Sequence, residues 1–276
     1  MSWSERQQAM LEAMGLRVWT ALPAPDHEPL ATEPPLLAKV EAPASAPEPA
    51  PAPVRVASVL PQILVPAQPR AAEPPRVPAA AAGAVAAMDW TQLREAVAGC
   101  RACGLCEGRK HTVFGVGHER AHWMVVGEAP GEQEDLQGEP FVGQAGKLLD
   151  SMLRAIGLTR ADGPPEKQVF IANTLKCRPP RNRNPEPEEL AQCEPYLNRQ
   201  IALVQPRIIL AMGRFAVQSL LRSAEPIGRL RGRVHEYQGV PLIVTYHPAY
   251  LLRNLVDKAR AWEDLCLAMD VLQRKT

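Results

Sequence analysis

An α/β fold of three layers, with a mostly parallel four-stranded sheet between helices, is expected from three observations. Four short apolar runs, at 123–126, 169–172, 207–212 and 242–246, have strand length and are mostly β-branched or aliphatic. Helical periodicity fills the spaces after them, through Ala145–Ile156, Glu188–Val204, Arg214–Leu221 and Trp262–Leu272. Strands and helices therefore alternate, the order that gives a parallel sheet with both faces covered.

Ahead of this pattern lie two segments of different character. SERQQAMLEAMGLRVW, within residues 1–20, offers Ser4 as a cap and Met10, Leu11, Met14 and Val18 at roughly helical spacing. A short amphipathic helix that folds against something else is expected there. Residues 21–87 form a Pro/Ala-rich linker: sixteen of the 29 prolines fall between Pro23 and Pro78, with almost no aromatics. Such a composition buries too little apolar surface to offset the entropy of ordering, so disorder with some polyproline character is expected. The folded domain is assigned to residues 88–276.

The N-terminus lacks an apolar signal region, and no run of eighteen apolar residues occurs anywhere. Secretion and membrane insertion are not indicated, and a cytoplasmic protein is expected. Six cysteines in a reducing compartment point to metal or catalysis rather than disulfides. The net charge of +1 hides an asymmetry: residues 1–88 carry six Lys/Arg and eight Asp/Glu, leaving 25 against 22 for the remainder. Arginines cluster as Arg178, Arg181 and Arg183, and again as Arg229, Arg231 and Arg233. Clusters of this kind suit a phosphate backbone, although solvated loop charge explains either one alone.

Ligands of open parallel sheets bind beyond the carboxyl ends of the strands. The segments there are GEAPGEQED at 127–135, NTLKCRPPRNRNP at 173–185, GRF at 213–215 and HPAYLLRN at 247–254. The first resembles a glycine loop for phosphate, yet it carries four carboxylates: Glu128, Glu132, Glu134 and Asp135. Cysteine spacing is the other signal. Cys100 and Cys103 form C-x-x-C, and Cys177 and Cys193 follow, so four thiolates are available for zinc or a [4Fe–4S] cluster. Cys106 forms a competing C-x-x-C with Cys103, and spacing alone leaves both the frame and the metal open. Cys266 reads as a small hydrophobe on the last helix.

With these motifs in place, the chain resembles the family 4, iron–sulfur uracil-DNA glycosylases. The likeness covers about residues 98–273 and rests on CRAC at 100–103, GEAPGEQED, GEPFVGQAGKLLD at 138–150, ANTLKCRPPRNRNP at 172–185 and HPAYLLRN, in that order. The resemblance implies a uracil-DNA glycosylase-like fold and hydrolysis of the N-glycosidic bond of uracil in DNA. It also implies a [4Fe–4S] cluster on Cys100, Cys103, Cys177 and Cys193, with Cys106 a bystander.

The same resemblance gives roles to single residues. Gly127, Glu128 and Ala129 line the uracil, and Phe141 stacks on it; without the family, Phe141 reads as core. Asn173 ends the second strand, where its amide can meet O4 and N3–H of uracil, a pattern that cytosine reverses. His247 donates a hydrogen bond to O2 as charge builds there. Glu128 and Glu134 are the candidates for orienting water, stabilising the sugar cation or shaping the edge near C5. Leu251 or Leu252 is expected as an apolar wedge in the minor groove, with Arg253, Arg178, Arg181 and Arg183 holding phosphates.

A monomer acting on uracil-containing DNA is expected, nucleoid-associated when at work, with residues 1–87 tethering it to a replication or repair partner. A non-turnover uracil-DNA binder is the alternative. A related branch captures its substrate through a histidine in a KRRIH insertion, whereas RPPRNRNP here contains none. Turnover is therefore favoured.

Overall fold

A computed structural model describes residues 79–274. The helix expected in residues 1–20, and the linker up to residue 78, lie outside the described residues.

Helix α1 (Ala79–Ala86) falls within the stretch expected as linker up to residue 87. Pro78 is the last proline of the run, and the alanines after it have the highest helix propensity. Val85 is buried, and α1 packs beside α6 (Pro187–Val204). Helix α2 (Trp90–Ala98) starts at a capping box, with Asp89 accepting from Gln92 N at 2.9 Å and Asp89 N donating to Gln92 Oε1 at 3.0 Å. The short helix α3 (Leu105–Gly108) follows the first cysteines.

The four expected strands are present as β2 (Trp123–Gly127), β3 (Val169–Asn173), β4 (Ile208–Met212) and β6 (Val240–Thr245), all parallel. The sheet is mixed, because two antiparallel edge strands were not read from the sequence: β1 (Val116–Gly117) beside β3, and β5 (Val234–Tyr237) beside β6. The order is β1-β3-β2-β4-β6-β5. Both added strands are short, and β5 alternates exposed and half-buried residues, so neither carries a continuous apolar run.

Alternation along the strands builds two cores. Trp123, Val125, Ile171, Leu210 and Ile243 face α5 (Gln144–Ala155) and α10 (Asp257–Arg274). Met124, Val126, Phe170, Ile209 and Val244 face α6 and α7 (Arg214–Leu221). Every residue of β2, β3 and β4 is buried, as a sheet covered on both faces requires. The chain passes from β2 to β3 on one side and then crosses to β4 on the other. The carboxyl end of β2 is therefore the switch point of the sheet, where open α/β folds place their ligands.

One buried ion pair ties the last helix to the far edge of the sheet. Asp264 of α10 is fully buried and accepts from Arg231 Nε at 3.1 Å and Gly232 N at 3.1 Å. Arg231 follows helix α8 (Ile227–Leu230) and also reaches the Arg260 carbonyl at 2.6 Å and Glu263 at 2.8 Å. Its guanidinium is engaged inside the protein, so Arg231 leaves the phosphate-binding set, while Arg229 and Arg233 are exposed. Removing Asp264 takes away the buried acceptor of both Arg231 Nε and Gly232 N and leaves Arg231 with Glu263 and the Arg260 carbonyl at the surface. Asp264→Ala is expected to cost about 3–5 kcal/mol in urea unfolding, and a change below about 1 kcal/mol would show that the pair is not structural.

Candidate functional site

The site begins with strand register. Gly127 pairs with Asn173 at the carboxyl ends of β2 and β3, and the pairing continues past the sheet. Thr174 N donates to the Gly127 carbonyl at 3.0 Å, Leu175 N to the Glu128 carbonyl at 3.1 Å, and Thr174 Oγ1 to that same carbonyl at 2.5 Å. The loop after β2 is thereby stitched to the loop after β3.

Gly127 is required by space. A Cβ there would lie 2.4 Å from Asn173 Oδ1 and 2.6 Å from Phe141 Cζ. These three residues converge on one point. Asn173 is 2% exposed, and its Oδ1 has no hydrogen-bond partner among the described residues. A buried acceptor without a donor costs roughly 1–3 kcal/mol, which a ligand N–H would recover.

Phe141 reaches this point through a strained backbone. Its φ is 56°, a left-handed value uncommon for a bulky residue. Three contacts hold it there. Glu134, in α4 (Glu132–Gln137), accepts from Val142 N at 2.9 Å, Gly143 N at 2.9 Å and Gly131 N at 3.0 Å. Arg160 donates to the Pro140 carbonyl at 2.9 Å while its Nε donates to Asp150 at 2.7 Å. Gly146 lets α5 approach so closely that a Cβ would lie 1.7 Å from the Phe141 carbonyl oxygen. Glu134 therefore clamps the loop, with main-chain donors on both of its oxygens. Asp135 is also structural, being buried and accepting from Lys110 N at 3.0 Å.

His247 stands across from Phe141, with ring centroids 5.4 Å apart and planes inclined by 30°. It caps helix α9 (Pro248–Leu251): Nδ1 accepts from Ala249 N at 3.2 Å. The proton of the neutral ring is consequently on Nε2, leaving a donor for a ligand. Burial first, then the charge of Arg253, pull the imidazole from 6.5 down to about 4, with Glu134 opposing. Gly213, with φ of 90°, admits the His247 ring; a Cβ there would meet His247 Cβ at 3.1 Å. Gly213 was visible only as part of GRF, because a close approach between two loops leaves no periodic signal.

Of the two acidic candidates, Glu128 keeps an uncommitted carboxyl. It is half-buried, and burial pushes it above the usual carboxylate range against the charge of Arg214. Arg214 is exposed at the start of α7, its guanidinium 4.6 Å from the Phe215 ring centroid. It was not among the expected site residues. Ala129 is half-buried and packs against the buried cluster of Leu105, Leu175, Cys177 and Cys193.

The expected DNA-contacting residues divide. Leu251 is fully buried in the core beneath the sheet and is not a wedge. Leu252 is 42% exposed, and Leu255 and Val256 further along are 56% and 87% exposed. Arg253 and Arg181 are exposed. Arg178 is half-buried, donating to Asn182 Oδ1 at 2.8 Å and lying 3.8 Å from Glu132. Arg183 is forked onto the buried Glu189, with Nη1 2.9 Å from Oε2, and so is withdrawn from phosphate binding.

The cysteines gather around a cavity. Cys100, Cys103, Cys106, Cys177 and Cys193 all line it, with Lys176 in the wall. Cys177 and Cys193 are buried; the other three are half-buried. Arg109 donates to Cys177 Sγ at 3.1 Å and to the Ala98 carbonyl at 3.1 Å. Burial pushes the Cys193 thiol up to about 12, so it becomes a thiolate only with positive charge nearby or metal upon it. Among the described residues, no group of three or more His, Cys, Asp or Glu is spaced to share a single metal ion. Cys266 is partly buried against the core formed by α5 and α10.

The imidazole gives a direct check. In the free protein, His247 is expected to titrate near pH 4 by NMR, with Nδ1 as the unprotonated nitrogen. The unfolded ring titrates near 6.5, so the unfolded chain takes up the proton first. This site's contribution to stability is therefore complete above about pH 6.5 and is lost as pH falls towards 4. A midpoint near 6.5 would show that the ring is solvated and free of its cap.

Comparison with known proteins agrees with this arrangement. A family model of the uracil DNA glycosylase superfamily matches residues 114–266. A type-4 uracil-DNA glycosylase of Archaeoglobus fulgidus is 47% identical over 161 residues, covering 55% of this chain and 78% of the relative. Those of Pyrobaculum aerophilum and Thermotoga maritima are 42% and 41% identical, covering 65% and 61% of this chain and 93% and 85% of the relatives. The matched span holds the loops at the carboxyl ends of β2, β3, β4 and β6, and at 41–47% identity over most of these relatives' length the chain belongs to the type-4 uracil-DNA glycosylases of that superfamily.

Proposed function

We propose that the protein excises uracil from DNA by hydrolysing its N-glycosidic bond and leaving an abasic site. The observation that carries this reading is the buried, unpartnered Oδ1 of Asn173, adjoining Gly127 and Phe141. Uracil N3–H supplies the missing donor, and cytosine, whose N3 carries no hydrogen, does not. The nucleotide must leave the helix to reach this point, at a cost of a few kcal/mol. Phe141 offers a flat apolar surface to the extruded base.

Breaking the bond between C1′ and N1 moves the electron pair onto the base, where charge collects at O2. His247, neutral and protonated on Nε2, donates there, and the bond strengthens as charge develops. A water adds its hydroxyl to C1′ and its proton neutralises the departing base. Glu128, shielded from solvent and next to Arg214, is the carboxyl that orients the water; Glu134 positions Phe141 instead.

The thiol-lined cavity is suited to a [4Fe–4S] cluster held by Cys100, Cys103, Cys177 and Cys193. The cavity gathers thiols, and four thiolates are the ligand set of such a cluster. When bound, the cluster supplies cross-linking of the segments around residues 100 and 177 rather than a step in hydrolysis. Leu252 is the wedge on this reading, with Arg253 and Arg181 on phosphates. Residues 1–87 serve as a tether to a replication or repair partner.

Uracil release from an oligonucleotide, with iron and zinc measured on the same preparation, tests the reading. Wild type is expected to release uracil and carry iron; His247→Ala and Asn173→Ala are each expected to lose about 10²–10³ in rate. Cys177→Ala is expected to lose iron, while Cys106→Ala keeps it. An iron-loaded wild type that releases no uracil would refute the proposal.

The leucine pair separates packing from DNA contact. Leu251→Ala is expected to cost about 2–5 kcal/mol of stability. Leu252→Ala is expected to leave the melting temperature unchanged and lower kcat/KM on duplex uracil DNA several-fold; the reverse pattern would return the wedge to Leu251.

A further inference from the structure

Lys176 is among the largest fully buried side chains of the protein, at 2% exposed. A buried ammonium requires partners, and Lys176 has two. Its Nζ donates to the main-chain carbonyl of Asn173 at 2.7 Å and to Gln200 Oε1 at 2.7 Å. Gln200, also fully buried, donates through Nε2 to the Phe114 carbonyl at 2.9 Å. Lys176 is at the same time one of the residues that line the cysteine cavity.

The path is short. The chain leaves β3 at Asn173, and three residues later Lys176 folds back onto that strand end. Meanwhile Thr174 and Leu175 hold the loop after β2 from the other side. The main chain of Asn173 is thus fixed by its strand register and by Lys176, while its amide oxygen is left for a ligand. A hydrocarbon of equal length would fill the volume without desolvating a charge, yet it would leave the Asn173 carbonyl and Gln200 Oε1 unpaired.

We propose that Lys176 is a positioning residue, which registers the base-reading amide of Asn173 against the wall of the cysteine cavity. The inference rests on the reading of Asn173 given above. It makes the end of β3 and the cysteine cavity a single mechanical unit, in which a cation beside the cavity fixes the strand end that carries Asn173.

Lys176→Met keeps the length and removes both hydrogen bonds. Studied beside wild type as purified, it is expected to lose about ten- to hundredfold in kcat for uracil release, at unchanged KM and iron per chain. Wild-type kcat with iron retained overturns the proposal, and so does loss of iron in step with activity, which would confine Lys176 to the cavity wall. Should that variant fail to fold, Gln200→Met leaves the ammonium on Asn173 but releases its other side. A several-fold lower kcat at unchanged KM supports the role, and wild-type kcat overturns it. If wild type itself releases no uracil, the functional reading fails separately. The role is then decided by the side-chain amide resonances of Asn173, which are expected to shift and broaden in the folded variant; unchanged resonances overturn it.

Discussion

Parallel pairing between β2 and β3 extends beyond the sheet edge, through Thr174 and Leu175 to the carbonyls of Gly127 and Glu128. That continuation is the constraint on which the rest depends. It fixes Gly127, the Asn173 amide beside it, and the first residues of the path to Cys177. A slip of one residue would turn Asn173 into the opposite core and carry Cys177 away from Cys193.

Such a site is bought with local instability. Phe141 occupies a left-handed conformation, Asn173 keeps an unpaired buried oxygen, and Lys176 places a charge in the interior. The first and last of these costs are offset nearby: Glu134 on three main-chain donors and Arg160 on the Pro140 carbonyl hold Phe141, and Gln200 holds Lys176. Rigid surroundings of this kind allow an amide and an imidazole to be aimed before the substrate arrives. The neutral state of His247 belongs to the same design, since its cap and its burial both keep Nδ1 free of a proton.

The parallel strands were legible because strands buried on both faces must be continuously apolar. The edge strands were not, since Val116–Gly117 has two residues and Val234–Tyr237 alternates in exposure. The family resemblance singled out Asn173, Phe141 and His247, and without it Phe141 reads as core; how Glu128 and Glu134 differ depends on which main-chain N–H groups a folded loop presents. The same holds for Leu251 and Leu252, adjacent in sequence and opposite in burial. Arginine clustering pointed towards phosphate without revealing that Arg183 and Arg231 are held by buried carboxylates. Lys176 gave no signal at all, because a lysine beside a cysteine looks like surface until its burial is known.

The central claim is that the amide of Asn173 reads N3–H of the base. Competition of free uracil and N3-methyluracil against uracil DNA tests it most directly, because the two differ only at that position. Uracil is expected to compete at least about a hundredfold better than the methylated base, and this advantage is expected to disappear in Asn173→Ala. Equal competition by the two bases in the wild-type protein would contradict the assignment.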